Sequence, residues 1–357
     1  MASLQTTLPK GSWVLVTGAT GYVATQVVKQ FLERGYKVRG TVRDACKASW
    51  LIHDVFELHA DCGSFELIEV PDLAADHAFD EAVKGVSAIV HVASVVTFSP
   101  DPSKVIPQTV RGAISVMEAA LNEPSVKEFV YTSSIVAATA PIPGNTTHVG
   151  PDTFNEAAVK LAWAPERIDT PGQGGVVYSA SKAEAEKAVW RFVEEKKPHF
   201  TVNSVCPSSI IGEPLHHSQL ESAGAWLKML YDGKTDVLAH NPAIYHVDVK
   251  DVGLLHVAAV LDPDVKDARL QAWATACNWN DVLAIMRRQC PERKLVDDLP
   301  GLSKLSLTAD FSLPLALLKK WGGQEGWRTL EQTVTDNMRA ITKWDPECDA
   351  CGNGWMP

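Results

Sequence analysis

The sequence predicts an α/β fold in which helices cover both faces of a doubly wound parallel sheet. Two observations support this prediction. Short runs rich in β-branched residues alternate with longer amphipathic stretches through the first half of the chain, and a glycine-rich turn follows the first of these runs. Because each predicted strand is followed by a helical pattern or a turn, right-handed βαβ units are the most economical topology.

The individual elements follow from hydrophobic spacing and from the residues that end each run. Strands are predicted at residues 12–18, 36–43, 65–70, 87–94, 128–134 and 200–207. The first helix covers residues 22–35, with apolar residues along one side and Gly35 at its end. A later helix begins near Tyr178 and ends near Glu195, because Pro198 cannot continue it.

The pattern changes after the sixth strand. Turn residues and one short amphipathic helix come next, a strand and a helix return at residues 243–261, and the remainder is predicted to be helical with several prolines. This arrangement favours one core with a smaller, mainly helical C-terminal lobe over two independent domains.

Composition and charge exclude several classes of protein. Of the 357 residues, 46% are hydrophobic and 21% are charged, as in a globular protein with a substantial core. No apolar run approaches the roughly 18 residues that a membrane helix needs, and the N-terminal segment lacks the layout of a signal peptide. The net charge of -10 argues against a nucleic-acid surface. We therefore expect a cytoplasmic protein that acts on small molecules. A monomer or homodimer is expected as well.

The cysteines and histidines form no disulfide or metal pattern. The seven cysteines are odd in number and scattered along the chain, so reduced thiols are expected. Cys348 and Cys351 form a CxxC near the C-terminus, but a structural zinc site needs four ligands and no second CxxC or paired histidine lies nearby. His91 is expected to pack at the sheet edge, and His216 and His217 are expected to be loop residues. No metal is predicted.

A glycine turn separates the first strand from the first helix. In the segment TGATGYVA, Gly18, Gly21 and Ala24 stand where small residues let backbone N–H groups approach a pyrophosphate at the N-terminus of a helix. Any tight turn between a strand and a helix can use glycine. The place of this turn after a buried N-terminal strand favours a dinucleotide site of the Rossmann type.

The end of the second strand indicates which dinucleotide is bound. An NAD-binding unit usually carries an acidic residue there, whereas this chain has Arg39 and Arg43, and a guanidinium pairs well with a 2′-phosphate. NADP(H) is therefore preferred, although one or both arginines can also be solvated and Asp44 is close by. Asp72 and Leu73 stand where adenine contacts are made, but Asp72 can equally cap a helix.

Tyr178 and Lys182 are one helical turn apart, so both side chains face one site. A free tyrosine has a pKa of about 10, and a nearby ammonium favours the phenolate. The sequence TSS, with Ser133 and Ser134, ends the fifth strand and sets a hydroxyl at the carboxyl edge of the sheet, where it can hydrogen-bond a carbonyl oxygen. Each residue alone has an ordinary structural explanation. Their order after a glycine turn favours an active site.

Taken together, TGxxGxxA, the DL after the third strand, HVAS, TSS and YxxxK resemble the extended short-chain dehydrogenase/reductase superfamily. Within it the chain resembles fungal and yeast NADPH-dependent carbonyl (aldehyde) reductases, which are related to plant dihydroflavonol reductases. Segments such as GYKVRGTVRD, KPHFTVNSVCPSSIIG and VDVKDVGLLHVAAV extend the likeness over nearly the whole chain. The resemblance implies an NADP-binding Rossmann core of residues 1–206 and 243–275, a substrate-binding lobe of residues 207–242 and 276–345, and a tail of residues 346–357.

The resemblance also implies roles for individual residues. Tyr178 would protonate the carbonyl oxygen, Lys182 would lower the pKa of that tyrosine and hold the nicotinamide ribose, and Ser134 matches the catalytic serine. Arg43 would hold the 2′-phosphate of NADPH or NADP+. Cys206 replaces a polar residue that the family has before a proline, so the local hydrogen bond becomes an open question. The cofactor-binding set is Thr17, Gly18, Thr20, Gly21, Tyr22, Val23, Arg43, Lys47, Asp72, Leu73, Val92, Ala93, Ser94, Tyr178, Lys182, Pro207 and Ser209.

A hydrophobic carbonyl compound is the predicted substrate. The resemblance places Val95, Phe98, Trp163, Trp226 and Tyr245 around the nicotinamide, and an apolar, aromatic pocket suits a ketone or an aldehyde, such as a β-keto ester or an intermediate of fungal specialised metabolism. One alternative is an NAD-dependent hydroxysteroid or sugar-type dehydrogenase or epimerase of the same superfamily. The other is a non-catalytic regulator that senses the dinucleotide, although such proteins typically lose the tyrosine.

Overall fold

A seven-stranded parallel sheet forms the centre of the molecule. The structure is a computed structural model, and it describes residues 4–167, 170, 172–221, 225–239 and 241–345. The strands in these ranges are β1 (Trp13–Val16), β2 (Lys37–Val42), β3 (Phe65–Glu69), β4 (Ala88–His91), β5 (Glu128–Thr132), β6 (His148–Val149), β7 (Thr201–Pro207), β8 (Ser209–Ile211), β9 (Ile244–Asp248), β10 (Arg269–Ala272), β11 (Thr275–Cys277) and β12 (Thr308–Ala309). The α-helices are α1 (Tyr22–Glu33), α2 (Glu57–Asp61), α3 (Pro102–Leu121), α4 (Ile135–Ala138), α5 (Glu156–Ala162), α6 (Gln173–Lys196), α7 (Trp226–Tyr231), α8 (Asp236–Ala239), α9 (Val249–Leu261), α10 (Trp279–Gln289), α11 (Ser312–Gly322) and α12 (Leu330–Trp344).

The order of the strands in the central sheet is β10-β7-β5-β4-β1-β2-β3, and every neighbouring pair is parallel. The chain builds outward from β1 to β3, returns to the other side of β1, and continues from β4 to β10. This arrangement confirms the predicted doubly wound α/β fold. The direction of building reverses between β1 and β4, and in such sheets ligands bind in the crevice at the carboxyl ends of the two strands.

Helices cover both faces of the sheet because both faces are apolar. Along β1, Val14 and Val16 belong to one hydrophobic cluster and Leu15 to another, and all three are fully buried. Helices α1, α9 and α11 pack on the first face, and α3 and α6 pack on the second. A third cluster joins α7, α10 and α12. None of the described helices is both long enough and apolar enough to cross a membrane.

All six strands predicted up to residue 207 are present, each slightly shorter than its hydrophobic run. Helix α6 begins at Gln173, before the predicted start near Tyr178. The expectation that the remainder after residue 261 is helical was wrong in part, since β10, β11 and β12 lie there. Strand β10 has only four residues and includes Arg269 and Gln271, so no β-branched run marks it.

The part of the chain after β7 contributes strands to the central sheet, to a three-stranded sheet and to the two-stranded sheet of β12 and β6. Strand β9 lies in a separate three-stranded sheet with order β11-β9-β8, whereas α9, which follows it directly, packs against α1 on the central sheet. The division into a core of 1–206 and 243–275 and a lobe of 207–242 and 276–345 stays a prediction. The tail of 346–357, with its CxxC, lies outside the described residues.

A buried carboxylate, Asp248, joins the end of β9 to two helices. It is fully buried, and it caps α9 by accepting a hydrogen bond from the Lys250 backbone N–H at 2.8 Å. It also accepts hydrogen bonds from Arg328 Nε and Thr333 Oγ1, both at 2.9 Å. Since Arg328 precedes α12 and Thr333 lies on it, one carboxylate connects α12 to the start of α9.

Asp248→Ala should lower the free energy of unfolding by about 2 kcal/mol or more, because the Arg328 guanidinium and the first turn of α9 lose their buried partner. Urea unfolding followed by circular dichroism measures the difference. The control is Asp61→Ala, at an exposed carboxylate that ends α2, which should change stability by no more than about 0.5 kcal/mol. Equal effects of the two substitutions would show that Asp248 does not hold these segments together.

Candidate active site

The turn between β1 and α1 comes close to the segment after β4. Gly18 has a φ of +68°, and a Cβ at this position would lie 3.1 Å from the Cβ of Ala93, so both conformation and space require glycine. Gly21 is the N-cap of α1, and its N–H donates to the Gly18 carbonyl oxygen at 2.8 Å. The turn therefore brings the N-terminus of a long helix to the crevice, where it can receive a phosphate group.

Thr17 fixes the segment after β4 to this turn. Its buried hydroxyl oxygen accepts hydrogen bonds from the N–H groups of Val92 and Ala93, both at 3.0 Å, and lies 2.9 Å from His91 Nδ1. Burial, with a further effect of the Lys182 charge, lowers the pKa of His91 to about 3, so the ring is neutral. His91 is a packed residue, as predicted, and Thr17 acts on the crevice through the backbone of Val92 and Ala93.

Ser94 ends this segment with a hydroxyl that lacks a partner. Its Oγ is buried and has no hydrogen bond within the described part of the chain. A buried hydroxyl without a partner is costly, so a polar group of a bound molecule is expected to satisfy it. Together with the close approach at Gly18, Ser94 makes the crevice fit a dinucleotide cofactor.

The two arginines of β2 and its end differ in their surroundings. Arg39 donates to Glu66 at 2.6 Å and to two backbone carbonyls, so its guanidinium is engaged in the sheet. Arg43 is exposed, and within the described ranges it forms no ion pair. Asp44 accepts from the Lys47 N–H at 3.1 Å and pairs with its ammonium at 3.6 Å. Arg43 is therefore the arginine that is available to a 2′-phosphate.

Several other residues of the predicted cofactor set have engaged side chains. The hydroxyl of Tyr22 donates to the Gly212 carbonyl oxygen at 2.7 Å. Asp72 accepts from the Ala74 N–H at 2.9 Å and so stabilises a turn, and Leu73 fills the space that Gly112 leaves on α3. Four further residues of the set make no side-chain hydrogen bond within the described part of the chain. They are exposed Thr20, half-buried Val23, Pro207 at the end of β7 and Ser209 at the start of β8. Contacts of these residues with a cofactor stay predictions.

Helix α6 brings Tyr178 and Lys182 to the end of β5. The buried Lys182 Nζ donates to the Thr132 carbonyl oxygen at 2.9 Å. Ser134 is the N-cap of α4, and its side chain lies close to that of Tyr178. Burial raises the pKa of Tyr178 above its usual value, and the neighbouring Ser134 hydroxyl opposes that rise. Burial lowers the pKa of Lys182 to about 8, and the charge of Glu186 opposes that fall. The three predicted catalytic side chains thus lie together.

A buried ion pair that the sequence did not predict lies next to these residues. Glu186, one helical turn after Lys182, binds Arg269 through two hydrogen bonds of 2.9 and 2.8 Å. Glu186 also accepts a hydrogen bond from Ser133 Oγ at 2.8 Å. Ser133 is therefore engaged in the core, which leaves Ser134 as the serine of the site. The spacing YxxxKxxxE was the available signal for Glu186, whereas nothing local marks Arg269.

Phe98 lies against the candidate acid. Its ring centroid is 5.2 Å from that of Tyr178, its side chain is 55% exposed, and its backbone adopts a left-handed φ of +49°. The loop that carries it packs directly on α6, because a Cβ on Gly174 would lie 2.1 Å from the Phe98 carbonyl oxygen. A glycine of α6 thus sets the distance between this loop and the helix that carries Tyr178.

The other residues predicted to line the substrate pocket form two groups. Trp163, which follows α5, is 51% exposed, and Val95 is half-buried. Trp226 stacks on Trp279 within the third cluster, with ring centroids 5.7 Å apart, and the Tyr245 hydroxyl donates to a backbone carbonyl at 2.7 Å. Trp226 is thus held by stacking and Tyr245 by a hydrogen bond. Contact of Val95, Trp163, Trp226 and Tyr245 with a substrate stays a prediction.

His216 and His217 come just before and at the start of a short 3-10 turn. His216 stacks on Trp50, with ring centroids 4.1 Å apart. Among the residues that the structure describes, no cluster of His, Cys, Asp and Glu could hold a metal ion.

A profile of the NAD dependent epimerase/dehydratase family matches residues 14–270. The match covers more than half of the chain, and the protein therefore belongs to this family, which agrees with the resemblance to short-chain dehydrogenases and reductases.

Two relatives and one solved structure define the likeness more closely. Aldehyde reductase 2 of Sporidiobolus salmonicolor is 38% identical over 339 residues, which are 94% of this chain and 97% of that protein. Ketoreductase adrE of Penicillium rubens is 37% identical over 334 residues, or 92% and 96% of the two chains. The crystal structure of yeast methylglyoxal/isovaleraldehyde reductase Gre2 complexed with NADPH has a TM-score of 0.76 and 25% identity, covering 93% of this chain and 98% of its own. The chain is thus related to reductases of carbonyl compounds.

Two adjacent glycines of α6 test the packing of the Phe98 loop. Gly174→Ala should destabilise the protein by about 1–3 kcal/mol, because the new Cβ collides with the Phe98 carbonyl oxygen. Gly175→Ala meets no atom within 4 Å and should be neutral or stabilising by up to about 1 kcal/mol, since alanine is the better helix former. Urea unfolding of both variants measures the difference. Loss of stability in Gly175→Ala alone would contradict the described packing.

Proposed function

We propose that this protein reduces a hydrophobic aldehyde or ketone to the alcohol with NADPH. The observation that carries the proposal is the grouping of Ser134, Tyr178 and Lys182 at the carboxyl end of β5, on the same edge of the sheet as the glycine turn that follows β1. NADPH would supply the hydride to the carbonyl carbon. The names of the two relatives and the NADPH in the yeast reductase support this assignment.

Tyr178 would act as the acid. Its hydroxyl donates a proton to the carbonyl oxygen as negative charge develops there, and the ammonium of Lys182 stabilises the phenolate that remains. Ser134, whose side chain lies close to that of Tyr178, can also donate to the developing oxyanion. Because burial raises the pKa of Tyr178, its hydroxyl is protonated at neutral pH, which is the form that an acid needs.

The cofactor would lie across the crevice between β1 and β4. The turn at Gly18 and Gly21 would receive the pyrophosphate, the unpartnered Ser94 hydroxyl would contact the nicotinamide half, and Lys182 would hold its ribose. Exposed Arg43 would pair with the 2′-phosphate, because Asp44 is already engaged with Lys47. This availability supports NADPH over NADH.

An apolar rim supports a hydrophobic substrate. Phe98 contacts Tyr178, and the Phe98 loop packs on Gly174 of α6. The neighbouring Gln173 side chain donates to the last residue of α5 at 3.2 Å, which brings exposed Trp163 to the same side of the molecule. Aromatic side chains of this kind bind aryl or alkyl carbonyl compounds better than nucleotide-sugars, whose phosphates need basic partners.

Tyr178→Phe should lower kcat for carbonyl reduction by about 10²- to 10⁴-fold while NADPH binding remains, because the variant loses only the proton donor. Wild-type substrates are first found by following NADPH consumption with aldehydes, α- and β-keto esters and aryl ketones. Isothermal titration calorimetry then measures NADPH binding to both proteins. Turnover near the wild-type rate would rule out Tyr178 as the acid, and no consumption with any carbonyl compound would favour the regulator.

Arg43→Ala should raise the KM for NADPH by about tenfold or more and leave the KM for NADH nearly unchanged, since only NADPH carries the 2′-phosphate. Steady-state kinetics with both cofactors measures this. Arg191→Ala, at an exposed arginine on α6, is the matched control and should affect neither KM. Equal effects of Arg43→Ala on the two cofactors would favour the NAD-dependent dehydrogenase or epimerase.

A further inference from the structure

A buried ion pair lies next to the proposed active site. Glu186 on α6 and Arg269 on β10 form a bidentate ion pair. Arg269 Nε lies 2.9 Å from one carboxylate oxygen, and a terminal guanidinium nitrogen lies 2.8 Å from the other. The side chains are 0% and 4% exposed. Such a pair adds little net stability, because desolvation of both charges offsets their attraction. Its presence at this place therefore calls for another explanation.

The Glu186 carboxylate also holds the segment that carries Ser134. One oxygen accepts from Ser133 Oγ at 2.8 Å, and the other accepts from Ser204 Oγ at 2.9 Å. The Cys206 thiol donates to the same oxygen as Ser204, at 3.6 Å. Cys206 therefore does make a hydrogen bond, which the sequence had left as an open question. The Glu186 carboxylate thus binds donors from the end of β5, from β7 and from β10.

Glu186 is also the anion that acts on Lys182. The two residues are one turn apart on α6, and both are buried. The negative charge of Glu186 raises the pKa of Lys182 and opposes the effect of burial. Arg269 binds the same carboxylate, so its positive charge offsets part of the negative charge of Glu186.

Within the described part of the chain, four further titratable groups near Lys182 are uncharged at neutral pH. They are His91 on β4, Tyr131 on β5, Cys206 on β7 and Tyr178 on α6. Burial lowers the pKa of His91 to about 3 and raises the pKa of Cys206 to about 12. Burial also raises the pKa values of Tyr131 and Tyr178. Because these groups carry no charge near neutral pH, the charges that act on Lys182 are those of Glu186 and Arg269.

We propose that Glu186, held by Arg269, is a positioning residue that fixes the serine segment and supplies the negative charge that keeps Lys182 an ammonium beside Tyr178. The inference rests on the proposed function, because it explains how that site keeps its working charge state. Neither residue touches the substrate or the cofactor in this role.

The two members of the pair should act on Lys182 in opposite directions. Glu186→Gln removes the negative charge and leaves the buried guanidinium, so the ammonium form of Lys182 becomes less stable and titrates at lower pH. Arg269→Gln leaves the carboxylate without its cation, so Lys182 titrates at higher pH. If the pair only stabilised the fold, Glu186→Gln and Arg269→Gln would not shift the pKa of Lys182 in opposite directions.

Titration of Lys182 by NMR tests this in the full-length protein without added ligands. The lysines are labelled with ¹⁵N at Nζ, and the Lys182 signal is identified by its loss in Lys182→Arg. We expect the midpoint, near 8 in the wild type, to fall by at least about half a unit in Glu186→Gln and to rise by a similar amount in Arg269→Gln. Glu184→Gln is the matched control, since Glu184 lies on the same helix, pairs with Lys187 near the surface, and should leave the midpoint unchanged.

The pH dependence of kcat gives a second readout. Its alkaline limb should move to lower pH in Glu186→Gln and to higher pH in Arg269→Gln, and Arg269→Lys, which keeps the positive charge, should restore the wild-type profile. If Glu186→Gln does not fold, the two Arg269 variants decide the question, because each has a defined expected result. Unchanged midpoints, or shifts of the same sign in both Gln variants, would overturn the proposal.

Failure of this proposal differs from failure of the proposed function. Unchanged Lys182 titration, in a protein that reduces carbonyl compounds and loses activity in Tyr178→Phe, would overturn the role of Glu186 and leave the function standing. Opposite shifts of the midpoint, in a protein that reduces no carbonyl compound, would support the coupling of Glu186 to Lys182 and overturn the function.

Discussion

The hydrogen bond from Lys182 to the Thr132 carbonyl oxygen is the constraint on which the site depends. It fixes the middle of α6 to the end of β5. Because a helix is rigid, Tyr178 one turn earlier is placed beside Ser134, which follows the same strand. Thr132 is held in turn, since its hydroxyl lies 2.8 Å from the Nε2 of His256 on α9. Helices from both faces of the sheet thus meet at the end of one strand.

The parallel order of the strands explains why the glycine turn and the catalytic side chains share one crevice. Strands β1, β4 and β5 are neighbours, so the segments that leave their carboxyl ends emerge side by side. These are the turn at Gly18, the segment that ends at Ser94, and the serines that begin α4. Thr17 ties the first two segments together, and Glu186 holds the third through Ser133. The proposed cofactor and acid therefore meet because of topology, and buried polar contacts then fix their positions.

Local patterns were enough to predict most of the fold and to single out Tyr178, Lys182 and the TSS segment, because a strand run, a glycine turn and a YxxxK each lie within a few residues. The choice of Ser134 over Ser133 came from the family resemblance. Contacts between distant parts of the chain were not predictable in this way. Arg269 is 83 residues from Glu186, and β10 becomes a strand only by pairing with β7. Contacts with the Glu66 side chain and with two distant backbone carbonyls show that Arg39 is engaged, which leaves Arg43 as the available arginine. An aromatic residue such as Trp226 can either line a pocket or pack in a core. Its tertiary contacts, here the stack on Trp279, determine which of the two it does.

The central claim is that this protein transfers a hydride from NADPH to a carbonyl carbon while Tyr178 protonates the oxygen. The most direct test is to reduce an aryl ketone with NADPH that carries deuterium at both C4 positions and to analyse the alcohol by mass spectrometry. One deuterium on the carbinol carbon is expected, with no deuterium retained in the exchangeable hydroxyl. An alcohol without deuterium on the carbinol carbon would contradict the claim, because the hydride would then not come from C4 of NADPH.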